Sequence, residues 1–313
     1  MKKSLVSFLG ISSLFTFAKL PSQDITNGEN IQKKGFLEQG ENTKIAPVSI
    51  DLEFAGQLVP LANPSVKRRF AIELTTSKYW RFIAINLTAK ADKNFPVIRP
   101  ILKKYGIPDD FKYIPLMESG FTNKVSVSGA AGPWQLMPET AKHYGLTINS
   151  QVDERYNMAL STEAACKYIW HLHHQLHDWT LTAAAFNKGL DGIKNAVARQ
   201  KTESYYKLKL NPQAQFYVFR ILAAKAVVEN PSKYGYLGKT AHFHYSIPTF
   251  RVKISNSITN LSVFAKKHGI SMHTLRVYNP WLRSNRLDNP NRKVCFIEIP
   301  MLNEISPSHM HRI

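Results

Sequence analysis

The sequence has 313 residues, 44% of them hydrophobic, and carries 41 Lys and Arg against 22 Asp and Glu, a formal charge of +19. That length accommodates one large domain plus a small one, and the ordinary apolar fraction excludes wholesale disorder. A strongly basic chain either seeks an anionic partner or uses its charge only for solubility. Two cysteines, Cys166 and Cys295, exclude a disulfide scaffold and supply no zinc-binding spacing.

Residues 1–18 read as a secretory signal: Lys2 and Lys3 form the charged start, Leu5 to Phe17 the apolar segment, and Thr16-Phe17-Ala18 the cleavage site. The apolar segment is too short for a membrane span and no other stretch is long enough, so no integral membrane segment is expected. An exported protein, periplasmic or associated with the cell envelope, follows. Signal removal leaves a charge of about +17. Export makes an anionic wall polymer the favoured partner and nucleic acid the weakest candidate.

Residues 19–60 are polar and weakly periodic, a flexible leader that becomes ordered near Phe54 or Leu58. From 61 to 238 the pattern is helical. Asn63-Pro64 starts a helix through Phe70, Leu74 and Trp80, and Phe95-Pro96 starts another through Ile98, Ile101 and Leu102. Pro108 and Asp109 start a short helix. Ala165, Ile169, Leu172 and Leu176 mark an amphipathic one, Asp178 caps the next, which ends at Asn187-Lys188-Gly189, and Asn211-Pro212 opens a long helix that stops before Pro231. That last helix is apolar nearly all round, which places it at the core.

After Tyr236 the pattern changes. Phe250 to Ile254 alternates like a strand, Leu261 to His268 and Met272 to Tyr278 read as short helices, and Val294 to Ile299 as a returning strand. This β-α-α-β unit, 242–300, precedes a disordered tail, 301–313. From 242 onward ten basic residues face three acidic ones.

The chemistry centres on one carboxylate. Phe111, Ile114, Pro115 and Glu118 share a helical face that is otherwise apolar. Desolvation there raises the pKa of Glu118 and keeps a proton on it near neutral pH, as a general acid requires. The alternative is a structural Glu satisfied by backbone amides or an Arg. Ten residues on lies a run of small residues, Ser128-Gly-Ala-Ala-Gly-Pro-Trp-Gln135, whose lack of bulk suits close approach of a large ligand to the backbone. Trp134 is either a ring for a sugar face or a core aromatic beside a turn.

Taken in order, Tyr105 to Tyr113, Glu118-Ser-Gly-Phe121, Ser128 to Pro138, Val152-Asp-Glu-Arg-Tyr156 and Tyr217 to Leu222 resemble the murein lytic transglycosylases, specifically the membrane-bound transglycosylase D branch with a goose-lysozyme-like domain. The resemblance spans about Phe54 to Pro300. It implies a mainly α, lysozyme-like catalytic domain of the SLT type that cleaves peptidoglycan glycan strands between N-acetylmuramic acid and N-acetylglucosamine without water, cofactor or metal. Residue by residue, Glu118 matches the sole acid/base and Ser119 its supporting hydroxyl. Ser128, Gly129, Gln135 and Met137 match groove positions, and Asn187 a partner for the substrate acetamido group. The family's Ala-Tyr-Asn-Ala-Gly stands here as Ala185-Phe-Asn-Lys-Gly189, so Phe186 lacks a phenol that Tyr217 is placed to supply. The C-terminal unit resembles a degenerate LysM module through Leu275, Tyr278 and Asn279-Pro-Trp281. That resemblance implies binding of polymers containing N-acetylglucosamine, against a purely packing role.

Two rival functions remain open. A hydrolytic muramidase needs a second carboxylate to activate water, for which Asp153, Glu154 and Asp178 are candidates by position. A non-catalytic wall-binding scaffold is suggested by Phe186, the basic charge and the LysM-like unit. His171, His173, His174 and His177 spread around a helix and offer no three convergent metal ligands. Gly129 to Gly132 lacks the Gly-Lys-Ser/Thr of a phosphate loop. Lys67-Arg68-Arg69 reads as a solvated helix face.

Overall fold

A computed structural model describes residues 52–76, 78–231 and 247–301, with the side chains of 75–87 excepted. The signal at 1–18, most of the leader and residues 302–313 of the expected tail lie outside the described residues. The fold is mainly α. A hairpin of β1 (Glu53–Phe54) and β2 (Gln57–Leu58) precedes α1 (Pro64–Thr76) and α2 (Lys78–Lys104). The hairpin belongs to the folded body: Phe54 is fully buried against Phe111, and Asp110 accepts from the Ala55 amide while pairing with Lys225.

Pro96 and Pro100 lie inside α2, so no new helix begins at Phe95-Pro96. Each proline removes one backbone donor. The face they interrupt nevertheless buries Phe95, Ile98 and Leu102, and that packing outweighs the lost bonds. A 3-10 turn at Asp109–Lys112 leads into α3 (Tyr113–Ser119), which Gly120 ends at φ 61°, its amide donating to the Leu116 carbonyl. Then come α4 (Pro138–His143), α5 (Met158–Leu176), α6 (Trp179–Lys188), α7 (Leu190–Gln200) and α8 (Pro212–Glu229). Asn157, Asp178 and Asn211 cap α5, α6 and α8 by accepting backbone amides. Helix α8 occupies the centre, with Tyr217, Phe219, Ile221 and Leu222 all buried. Arg69 does not sit on a solvated face: its guanidinium lies over the Phe219 ring and donates to the Tyr206 carbonyl.

The C-terminal module pairs β3 (Thr249–Ile254) antiparallel with β4 (Cys295–Pro300), enclosing α9 (Leu261–Lys267) and α10 (Met272–Tyr278). Its core of Leu261, Ala265, Leu275, Ile297 and Ile299 continues into Ala131, Val152 and Tyr156 of the helical domain. The two cysteines are free, and burial pushes the Cys166 thiol up to about 12. Among the described residues no helix is long and apolar enough to cross a membrane.

Candidate active site

Helix α3 is only seven residues long, and its position is set by what surrounds it. Tyr113, Ile114, Pro115 and Leu116 are buried, which leaves Glu118 half-buried at its C-terminal end. Packing of α3 against α8 brings Tyr217 opposite it, and the Tyr217 hydroxyl donates to Glu118 Oε1 at 2.6 Å. Loss of hydration raises the Glu118 pKa above the ordinary carboxylate value. Hydrogen bonds from Tyr217 and Asn187 and the positive charge of Arg220 oppose that shift but do not cancel it. Burial and the neighbouring carboxylate drive Tyr217 well above the usual phenol, so it remains a donor.

Ser119 faces the protein. Its hydroxyl is buried within reach of the carbonyls of Pro115 (3.1 Å) and Pro133 (2.9 Å), which ties α3 to the small-residue loop. Gln135, at φ 48°, donates its amide to the carbonyls of Lys124 and Gly132. Ser128 lies 3.0 Å from the Ser126 hydroxyl, and Ser128, Gly129 and Met137 are all partly exposed. The smallness of the loop has a different cause from the one expected. Ala130, Ala131 and Gly132 are buried, and a Cβ on Gly132 would sit 2.0 Å from the Arg155 carbonyl oxygen. Gly129 alone keeps an open approach.

Trp134 is a core aromatic: it is fully buried and its indole donates to Thr162 Oγ1 at 2.8 Å. Phe186 packs between Trp134 and Tyr168, with ring centroids 6.1 and 5.5 Å away. Asn187 follows it at the end of α6 and reaches the Glu118 carboxyl. The structure therefore brings Glu118, Asn187 and Tyr217 together, joins Ser119 to the loop carrying Gln135, and sets Phe186 behind that group.

The three carboxylates weighed as water activators are occupied elsewhere. Asp153 pairs with Arg155 through both oxygens, at 2.9 and 2.7 Å. Glu154 accepts from the Thr147 amide and pairs with Lys293, and Asp178 is spent on capping α6. The charge pattern of α8 held a further signal that sequence reasoning missed: Arg220 lies one turn beyond Tyr217, between the apolar Phe219 and Ile221, and it pairs with Glu73 at 3.5 Å. Among the described residues no group of His, Cys, Asp and Glu is arranged to hold a metal ion.

Residues 96–209 match the family described as the transglycosylase SLT domain, and residues 250–303 the soluble lytic transglycosylase C-terminal LysM-like domain. The chain carries a transglycosylase SLT domain. It is homologous to the membrane-bound lytic murein transglycosylase D of Escherichia coli, 29% identical over 255 residues that cover 79% of this chain and 55% of the relative. It is also 30% identical over 119 residues to a putative tributyltin chloride resistance protein of an Alteromonas species, covering 37% of this chain and 58% of that one. The chain thus spans about half the length of the curated relatives it matches. Solved structures similar to it include an inactive mutant of the lytic transglycosylase Slt of Pseudomonas aeruginosa (18% identity, 44% of this chain and 24% of that chain, TM-score 0.35). The 70 kDa soluble lytic transglycosylase of Escherichia coli is another (18% identity, 55% and 32%, TM-score 0.37).

Proposed function

We propose that this SLT-domain protein is a peptidoglycan lytic transglycosylase of the cell envelope, exported by its N-terminal signal, with Glu118 as its single acid and base. The observation that carries the reading is the desolvated carboxyl of Glu118, held at 2.6 Å by the Tyr217 hydroxyl. Protonated Glu118 donates to the glycosidic oxygen, and the bond from that oxygen to the anomeric carbon of N-acetylmuramic acid breaks. The substrate's own acetamido group relieves the developing oxocarbenium charge. Glu118, now a carboxylate stabilised by Tyr217 and Asn187, takes the proton of the muramic acid carbon-6 hydroxyl. That oxygen closes on the anomeric carbon, and a 1,6-anhydro ring forms without water.

Ser128, Gly129, Gln135 and Met137 line the approach to Glu118 in this reading. The muramidase reading loses support because Asp153, Glu154 and Asp178 are each committed to ion pairs or caps. Mass spectra of digested sacculi test the proposal. Muropeptides ending in 1,6-anhydro-N-acetylmuramic acid are expected, lacking a reducing end. Products that borohydride reduces would overturn it in favour of hydrolysis.

A further inference from the structure

The C-terminal module docks on the segment that shapes the groove loop. Residues 151–153 form a short antiparallel bridge with 281–283: the Asp153 amide donates to the Trp281 carbonyl at 2.9 Å and the Arg283 amide to the Gln151 carbonyl at 2.7 Å. The Gln151 side chain adds a two-way contact with Asp288, donating to Oδ2 at 2.6 Å and accepting from the Asp288 amide at 2.7 Å. Beneath these bonds Val152 and Tyr156 are buried with Trp281 and Leu282 in one apolar cluster.

From that interface a continuous chain of contacts runs to Glu118. Asp153 holds the buried Arg155 guanidinium, whose Nη1 donates to the carbonyls of Gly129 (2.7 Å) and Leu136 (3.1 Å), the two ends of the small-residue loop. Ala131 in the same loop is buried in the module's own core cluster. At the loop's middle, the Pro133 carbonyl accepts from Ser119, the neighbour of Glu118. A buried guanidinium spanning two carbonyls fixes their separation, because its planar fork tolerates little rotation. We propose that the LysM-like module is an intramolecular brace, which through Asp153 and the positioning residue Arg155 holds the 129–136 loop in the shape that receives the glycan. Its effect on turnover rests on the reading of this loop as groove wall; its effect on loop order does not.

Hydrogen exchange and kinetics on the full-length chain test this. Val152→Asp combined with Leu282→Asp places two carboxylates face to face in a dry interface, and Val152→Ile serves as the apolar control. In the double variant the Asp153 and Arg283 amides should exchange as docking is lost, and those of Ala131, Gln135 and Leu136 should exchange about tenfold faster or more. Helix α8 should keep its protection. KM for soluble glycan strands should rise by at least about fivefold with kcat within about twofold, the signature of a disordered binding wall. Val152→Ile should behave as wild type. Freed Asp153 and Arg283 amides beside a still-protected loop would overturn the brace, whereas a loop that loosens while KM stays fixed would overturn the reading of that loop as groove wall. Should the native protein lack turnover, the functional reading fails while the exchange experiment still decides the brace.

Discussion

Glu118 is held between opposing influences, and its chemistry depends on their balance. Burial favours the protonated acid, while Tyr217, Arg220 and Asn187 favour the carboxylate through which the proposed reaction passes. Glu118→Gln keeps the shape but carries no transferable proton, so turnover of sacculi should fall by about two to four orders of magnitude with the melting temperature nearly unchanged. Comparable turnover in that folded variant would exclude Glu118 as the acid. Because burial raises its pKa, the reactive acid form persists above the ordinary carboxylate range, and the rate should fall as pH rises through that raised value. Tyr217→Phe removes an O–H that stabilises the carboxylate. The alkaline limb should therefore move to higher pH while the maximal rate drops about tenfold to a hundredfold, since the carboxylate formed on proton transfer loses its donor. A pH–rate profile on soluble glycan checks the sign, and a limb displaced to lower pH would contradict the role given to Tyr217.

At the scale of elements, the loop from Gly129 to Leu136 shows how local sequence serves a distant contact. Gly132 sits at φ +76°, and a Cβ there would meet the Arg155 carbonyl carbon and oxygen at 2.7 and 2.0 Å. Gly132→Ala should cost about 2–4 kcal/mol from the positive φ and the forced backbone shift. Thermal unfolding would show it, and a variant as stable as wild type would mean the loop yields freely. Much of this was legible beforehand. The alternation of Phe250 to Ile254, the Asn and Asp caps, and the all-round apolar α8 each express one local rule, and the structure places β3, α6 and α8 accordingly. What was not legible depended on partners far away in sequence. Helix α2 runs through Pro96 because Phe95 and Ile98 are buried, and α7 begins at Leu190 after Gly189, which offers no side-chain cap. At the site, Glu118 was readable as a carboxyl on an apolar face. The ion pair of Glu154 was not, since it requires knowing that Lys293 arrives from the other end of the chain.

On the scale of the whole molecule, the brace and the basic surface occupy different parts of the C-terminal module. Docking uses its loops around Trp281 to Lys293, whereas Arg251, Lys253, Lys266, Lys267 and Arg276 project from β3, α9 and α10 into solvent. Arg251 is paired with Glu298, and the four others have no ion-pair partner among the described residues. Such a cluster attracts an anionic polymer at long range, and its attraction fades once the Debye length shrinks below the spacing of the charges. Attachment to sacculi should therefore weaken steeply between about 0.05 and 0.5 M salt. Glu118→Gln is the protein to use, because it leaves the wall intact during the measurement. Reversing Lys253, Lys266 and Lys267 to Glu should lower the fraction that pellets at low salt without loosening the 129–136 loop, since none of the three touches the docking contacts. Pelleting that ignores both salt and charge reversal would assign wall attachment to the groove beside Glu118 alone, and would leave the module with bracing as its whole contribution.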